Sequence, residues 1–228
     1  RSIEKSFLLL YFPFPQVCFF ALFLSAAFPL QKVNQNPAYP LQTLNTSNKL
    51  YFMNEKNTKE NYTRVTTVLY PFSGLEKLDA DIVAHAADRG TRVHKICEGI
   101  MEGLGELGVD DETRGYVESF KKWWEKGHDV VMMEQRFWDK DLKITGQVDL
   151  IIRIPEGLAI VDLKTSRKPS PTWEAQGSAY AYLAKKAAHD IQKIYFLHLN
   201  KAGREAKIHE YPVDDSFFLA IYRTWVHF

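Results

Sequence analysis

The sequence predicts an α/β fold, a central mixed β-sheet flanked by helices, on three observations. Two runs rich in Val and Ile, 148–154 and 158–163, are split by Pro155, Glu156 and Gly157, which is the signature of a β-hairpin. Strand-like runs on either side of that hairpin alternate with segments of helical period, the pattern of a layered sheet-and-helix domain. A chain of 228 residues, 46% hydrophobic and 14% aromatic, can furnish the core that such a domain needs.

From the N-terminus, residues 1–52 differ in character from the remainder of the chain. Residues 7–30 carry no charge and come after a basic start (Arg1, Lys5), as in a secretory signal or a single membrane span. Pro13, Pro15 and Pro29 oppose a span, since each removes a helix hydrogen bond. Residues 31–52, rich in Asn, Gln, Thr and Pro, read as linker. The expectation is that Met53 is the natural start, that 1–52 is translated upstream sequence outside the fold, and that the body, 53–228, is cytoplasmic. The rival is a membrane anchor or export signal, and only then would the sequons at Asn45 and Asn61 matter.

Within the body, 66–71 predicts a short strand or turn. Residues 79–107 predict one long helix or two abutting ones. There Ile82, Val83, Ala86, Ala87, Val93, Ile96, Cys97 and Ile100 fall on a helical period, and Gly90 breaks it. A second helix covers 112–126. Strand 130–138 and the polar turn Asp139-Lys140-Asp141 lead into the hairpin. A helix over 172–188 comes after Pro169 and Pro171, then strands 191–199 and 206–211 joined by Asn200, Lys201, Ala202 and Gly203. A last helix, 214–228, reads as cut short.

The formal net charge of +1 excludes a global basic field, so any nucleic-acid contact must come from local patches. Cys18 and Cys97 are too few for a disulfide framework or a four-cysteine metal or iron–sulfur site. The chemistry sits in the hairpin. Each strand carries an acid that a buried strand should not tolerate, Asp149 and Asp162, and Lys164 shares a face with Asp162. Two carboxylates and an ammonium crowded at one sheet edge are costly to desolvate unless something binds there. A hard divalent cation is the natural neutraliser.

Four marks line up around that pair. His94 and Glu98 are four apart on one helical face; Gly146-Gln147-Val148-Asp149 and Asp162-Leu163-Lys164 lie on the hairpin strands; Gln176 and Tyr180 share a helical face beyond them. Together they resemble the PD-(D/E)XK nuclease superfamily, and within it the RecB-like exonuclease branch, marked by a helical His, GxxD, DxK and QxxxY. The resemblance spans roughly residues 63–199. It implies a restriction-endonuclease-like core and a metal-dependent exonuclease acting on DNA ends or single strands in repair, recombination or phage replication. Recombination or replication proteins would be its partners.

By the same resemblance, His94, Asp149, Asp162 and the Leu163 carbonyl would hold Mg2+, with Mn2+ as a substitute, and no iron–sulfur cluster or small-molecule cofactor would be needed. Lys164, kept cationic by its carboxylate neighbours, would position and polarise the attacking water. Gln176 and Tyr180 would touch the DNA backbone or orient the lysine. Glu98 and Glu134 are further acids of lesser rank. Lys140, Lys143, Arg167 and Lys168, near these motifs in sequence, are candidates for phosphate contacts.

Plainer readings compete. Asp149 and Asp162 could pair with Lys164 or Arg153 as a structural salt bridge. Glu98 could be a solvated helix acid, Glu134 a structural one, and Gln176 and Tyr180 ordinary packing. Trp123 and Trp124 beside Lys121 and Lys122 resemble a stacking surface for single strands, although core packing of at least one Trp is commoner. Lys185 and Lys186 read as a solvated helix end. A restriction-type endonuclease or a non-catalytic DNA-binding domain on the same core are the alternative functions.

Overall fold

A computed structural model describes residues 62–227; the apolar run 7–30, the linker, Met53 and both sequon asparagines lie outside the described residues. The described chain opens with a two-residue strand β1 (Thr63–Arg64) and a short helix α1 (Val65–Leu69). The sequence suggested a strand or turn here. Val65, Val68 and Leu69 are buried together, and that i, i+3, i+4 spacing selects a helix despite the β-branched residues.

Helix α2 (Ala80–Met101) starts at Asp79, whose side chain accepts hydrogen bonds from the Asp81 and Ile82 amides. It runs straight through Gly90. One internal glycine costs about 1 kcal/mol against alanine, too little to break a 22-residue helix. Beyond it come α3 (Arg114–Trp124), β2 (Asp129–Asp139), β3 (Ile144–Ile154), β4 (Gly157–Lys164), α4 (Trp173–Lys186), β5 (Ile191–His198), β6 (Lys207–Tyr211) and α5 (Asp215–Trp225). No helix among the described residues is long and apolar enough to cross a membrane.

The strands form one mixed sheet in the order β1-β3-β4-β5-β6, with β2 also paired to β3. β1 and β3 are parallel, as are β4 and β5; the other pairs are antiparallel. α4 makes the crossover that joins parallel β4 to β5. One core packs α1, α4 and α5 through Val65, Tyr180, Leu183 and Phe218 against Ile144, Val148, Ile160 and Ile194. The other packs α2 and α3 through Val93, Cys97, Phe120 and Trp123 against Leu150, Val161, Leu163 and Leu197. This is the predicted sheet between helical layers.

Some surface expectations change. Trp123 is buried and stacks on His128 at 3.8 Å; Lys121 pairs with Glu106, and Lys122 donates to the Gly203 carbonyl at 2.6 Å. That patch is committed to packing, so it does not offer the stacking surface its sequence resembled. Lys185 and Lys186 are exposed, as a solvated helix end should be, and make surface pairs with Asp215 at 3.0 Å and Asp141 at 3.4 Å. Arg153 pairs with Asp129 at 3.3 Å, away from the hairpin acids.

Two details of the sheet place the acids. Pairing between β3 and β4 runs from the turn only as far as Leu150 opposite Val161. Asp149 and Asp162 are the first residues beyond that last pair, where the strands part. On the other side of β3, Met133 faces Leu150 and Gln135 faces Val148, which leaves Glu134 opposite Asp149. Glu134 has φ 48°, a left-handed conformation that strains a non-glycine residue and interrupts the ladder at that point. Gly146 lets α4 approach β3: a Cβ there would meet the Tyr180 ring at 2.8 Å.

Candidate active site

Where β3 and β4 separate, the Leu163 amide loses its partner strand and donates instead to Asp149 Oδ2 at 2.7 Å. His94, delivered by α2, closes the same arrangement. Its Nδ1 lies 3.3 Å from Asp149 Oδ1 and its Nε2 lies 2.9 Å from the Leu163 carbonyl oxygen. Both ring nitrogens thus face acceptors, the pattern of an imidazolium. Burial opposes that charge, but the Asp149 carboxylate, helped by Asp162, outweighs it and raises the His94 pKa to about 9. For Asp149, burial is in turn outweighed by His94 and Lys164, so its pKa lies below the ordinary carboxylate value.

Asp162 behaves differently. It is buried, its Oδ1 has only a 3.5 Å contact to Gln176 Nε2, and its Oδ2 is engaged by a charge. The Lys164 ammonium, 2.5 Å from Oδ2, is its ionic partner. Burial, reinforced by the charge of Asp149, pushes its pKa up to about 6 against the pull of Lys164. Lys164 also lies over the Phe196 ring, 5.2 Å from the centroid.

Glu134 joins from β2. Ligand atoms of His94, Glu134 and Asp149 all lie within 4.8 Å of one another, a grouping of three donors that could share one metal ion. Gln147 holds Glu134 by donating from Nε2 to Oε2 at 2.5 Å, and Arg136 in turn donates to the Gln147 oxygen. Burial first, and then Asp149, raise the Glu134 pKa, so a nearby cation would relieve it. One imidazole, two or three carboxylates and a carbonyl suit a hard or borderline divalent ion such as Mg2+ or Mn2+. Asp162 is not one of those three donors: its Oδ2 is held by Lys164, and only its Oδ1, with one long contact to Gln176, has lone pairs to spare.

The remaining sequence candidates divide by distance from this cluster. Glu98 sits one turn beyond His94, partly buried, and its charge adds to the rise at Glu134. Gln176 and Tyr180 are 8% and 5% exposed, and Gln176 Nε2 donates to the Tyr180 hydroxyl at 2.9 Å. That leaves them little surface for a DNA backbone; they brace Asp162 and, through it, Lys164. Lys140 and Lys143 sit in the turn between β2 and β3, and Asp149 lies five residues along β3 from Ile144, roughly 16 Å of strand. Arg167 and Lys168 follow Lys164, the last residue of β4, by three and four residues. Sequence reasoning missed Gln147 and Arg136 as partners of Glu134. Their signal was available in the β2–β3 turn: counting back from Asp139 and forward from Ile144 sets Arg136 opposite Gln147 and Glu134 opposite Asp149.

The chain is similar to known proteins through one family model and, more distantly, to solved structures. A family model described as the PD-(D/E)XK nuclease superfamily matches residues 106–227. Among solved structures, one designated SSO0001 aligns at 16% identity with a TM-score of 0.45, over 79% of this chain and 82% of its own. Another, from Eubacterium rectale and named as a candidate exonuclease, aligns at 15% identity with a TM-score of 0.45, over 78% and 81%. No curated protein matches the sequence.

Proposed function

We propose a function from one premise: this chain belongs to the PD-(D/E)XK nuclease superfamily. Its sheet between helical layers is the restriction-endonuclease-like fold of that superfamily, and nuclease activity on DNA is the activity it implies. The finer function we infer is a divalent-metal-dependent deoxyribonuclease of the RecB-like branch that removes nucleotides from DNA ends. Repair, recombination or phage replication would employ it, in the cytoplasm and beside proteins of those processes.

One observation carries this proposal. A helix-borne imidazole, carboxylates from adjacent strands and a DxK lysine converge where β3 and β4 part. His94, Asp149, Asp162 and the Leu163 carbonyl, with Glu134 beside them, would hold the cation. A divalent ion there would stabilise the charge that builds on the scissile phosphate and make the attacking water more acidic. Asp162 holds Lys164 at 2.5 Å, so the ammonium is placed to orient and polarise that water. Gln176 steadies Asp162, and Gln147 steadies Glu134.

The test incubates the full chain with end-labelled single- and double-stranded linear DNA and with a closed circle, in Mg2+ or Mn2+. Shortening of linear DNA alone is expected. A cut circle would make it an endonuclease. Undiminished cleavage by Lys164→Ala and Asp162→Ala together would remove the proposed mechanism.

A further inference from the structure

A cleft of about 650 Å³ opens at the C-terminal ends of the parallel strands β4 and β5, and the chemistry above does not use it. Arg89, Arg167, His198, Lys201, Arg204 and Lys207 line it, with Glu205 as its one acid. Glu205 is already paired with Lys126, outside the cleft, and Arg89 with Glu112 at 3.6 Å. Among the described residues no ion pair engages Arg167, Lys201, Arg204 or Lys207. Four uncompensated cations therefore face one concavity in a chain whose net charge is only +1. Low-dielectric walls focus such a field, and an anion is what relieves it.

The cations are held by the fold. The turn that carries Lys201 and Arg204 is seated on α3: a Cβ on Gly115 would lie 1.8 Å from the Lys201 carbonyl oxygen, and the Asn200 amide donates to Ser119 Oγ at 2.9 Å. Lys122 secures the same turn through the Gly203 carbonyl. On the opposite wall, His198 Nε2 meets the Ser166 carbonyl at 2.6 Å and Ser166 Oγ donates to the Lys168 carbonyl at 2.8 Å, which fixes the bend bearing Arg167. Ser166 is itself part of the lining and lies two residues beyond Lys164, a chain distance of at most about 7 Å. Tyr116 also lines the cleft, but the Arg89 guanidinium covers its ring at 5.4 Å, so it offers no open face for a base.

We propose that this cleft seats the sugar–phosphate backbone of a nucleic-acid strand beside the bond to be cut, without reading its bases. The proposal rests on the nuclease reading of the neighbouring acids. Phosphate contacts of this kind position a strand and carry no sequence information.

The experiment uses the full chain with Lys201→Gln, Arg204→Gln and Lys207→Gln combined. Binding of two fluorescein-labelled single strands of unrelated sequence is monitored by anisotropy in the Asp162→Asn background, from about 50 to 200 mM salt. Removing one phosphate-binding cation should reduce the slope of log K against log salt by about 0.7, so removing three should reduce it by about 2, equally for both strands. With Asp162 intact, the triple variant should cut linear DNA with KM raised at least about tenfold, the loss falling on KM rather than kcat. An unchanged slope and unchanged KM in a variant of native circular dichroism would overturn the cleft while leaving the nuclease intact. A cleft-dependent slope in a protein that cuts no DNA would support the cleft and reject the nuclease.

Discussion

Asp139 and Asp162 are each 2% exposed on one sheet, and each has a lysine nearby, yet their surroundings are opposites. Asp139 Oδ1 accepts from the Asp141 and Leu142 amides at 2.8 and 3.1 Å, and its Oδ2 accepts from the Tyr182 hydroxyl. Burial raises its pKa, but those donors prevail and hold it below the ordinary value. Asp162 has only a 3.5 Å contact to Gln176 besides its lysine, and its pKa rises to about 6. Equal solvent exposure thus goes with opposite acidities: Asp162 is the more deeply desolvated and lies beside the charge of Asp149, whereas Asp139 has the fuller set of hydrogen-bond donors. The satisfied carboxylate ties a turn together. The other has one ammonium and one long contact, and so is the less satisfied of the two.

The contrast can be broken most directly at Asp162. Asp162→Asn should lower DNA cleavage by at least about 10³-fold while its thermal melting temperature stays within a few degrees of the parent's. A variant that keeps most of its activity would place Asp162 with Asp139 as architecture. The reciprocal change, Asp139→Ala, strands three donors and should cost about 2–4 kcal/mol in urea unfolding, with kcat of the folded protein within about twofold.

A third measurement sharpens the site itself. Metal coordination needs a neutral ring nitrogen, and His94 holds its proton up to a pKa of about 9. Mn2+ affinity, measured by calorimetry, should therefore rise about tenfold per pH unit towards pH 9 and then level off, with proton release visible in buffers of different ionisation heat. His94→Gln should flatten that profile. The smallest effect belongs to Tyr182→Phe, about 1 kcal/mol at neutral pH. The folded pKa of Asp139 lies below its unfolded one, so its stabilisation is present above about pH 4 and is lost as pH falls through the lower folded value. Urea midpoints of parent and variant should converge in that acid range.

Much of this was legible because it is local. The hairpin shows in Pro155 to Gly157, and Asp149 and Asp162 stand out because a buried strand rejects charge unless something uses it. α1 is helical against its sequence signal, since its β-branched content competes with a five-residue helical spacing. The place of Glu134 depends on register: only the pairing across β2 and β3 sets it against Asp149. Lys140 and Lys143 are near the acids in sequence, yet a stretch of extended strand separates the turn that bears them from Asp149. Arg89, Arg167, Lys201 and Lys207 come from separate segments, and only the folded chain gathers them.

The Leu163 amide leans on a side chain where its neighbours lean on a strand. Its proton is sheltered for as long as one oxygen of Asp149 remains engaged with it. Deuterium uptake at that single backbone position would therefore act as a gauge of how the carboxylate is occupied, legible without any substrate and without altering a residue.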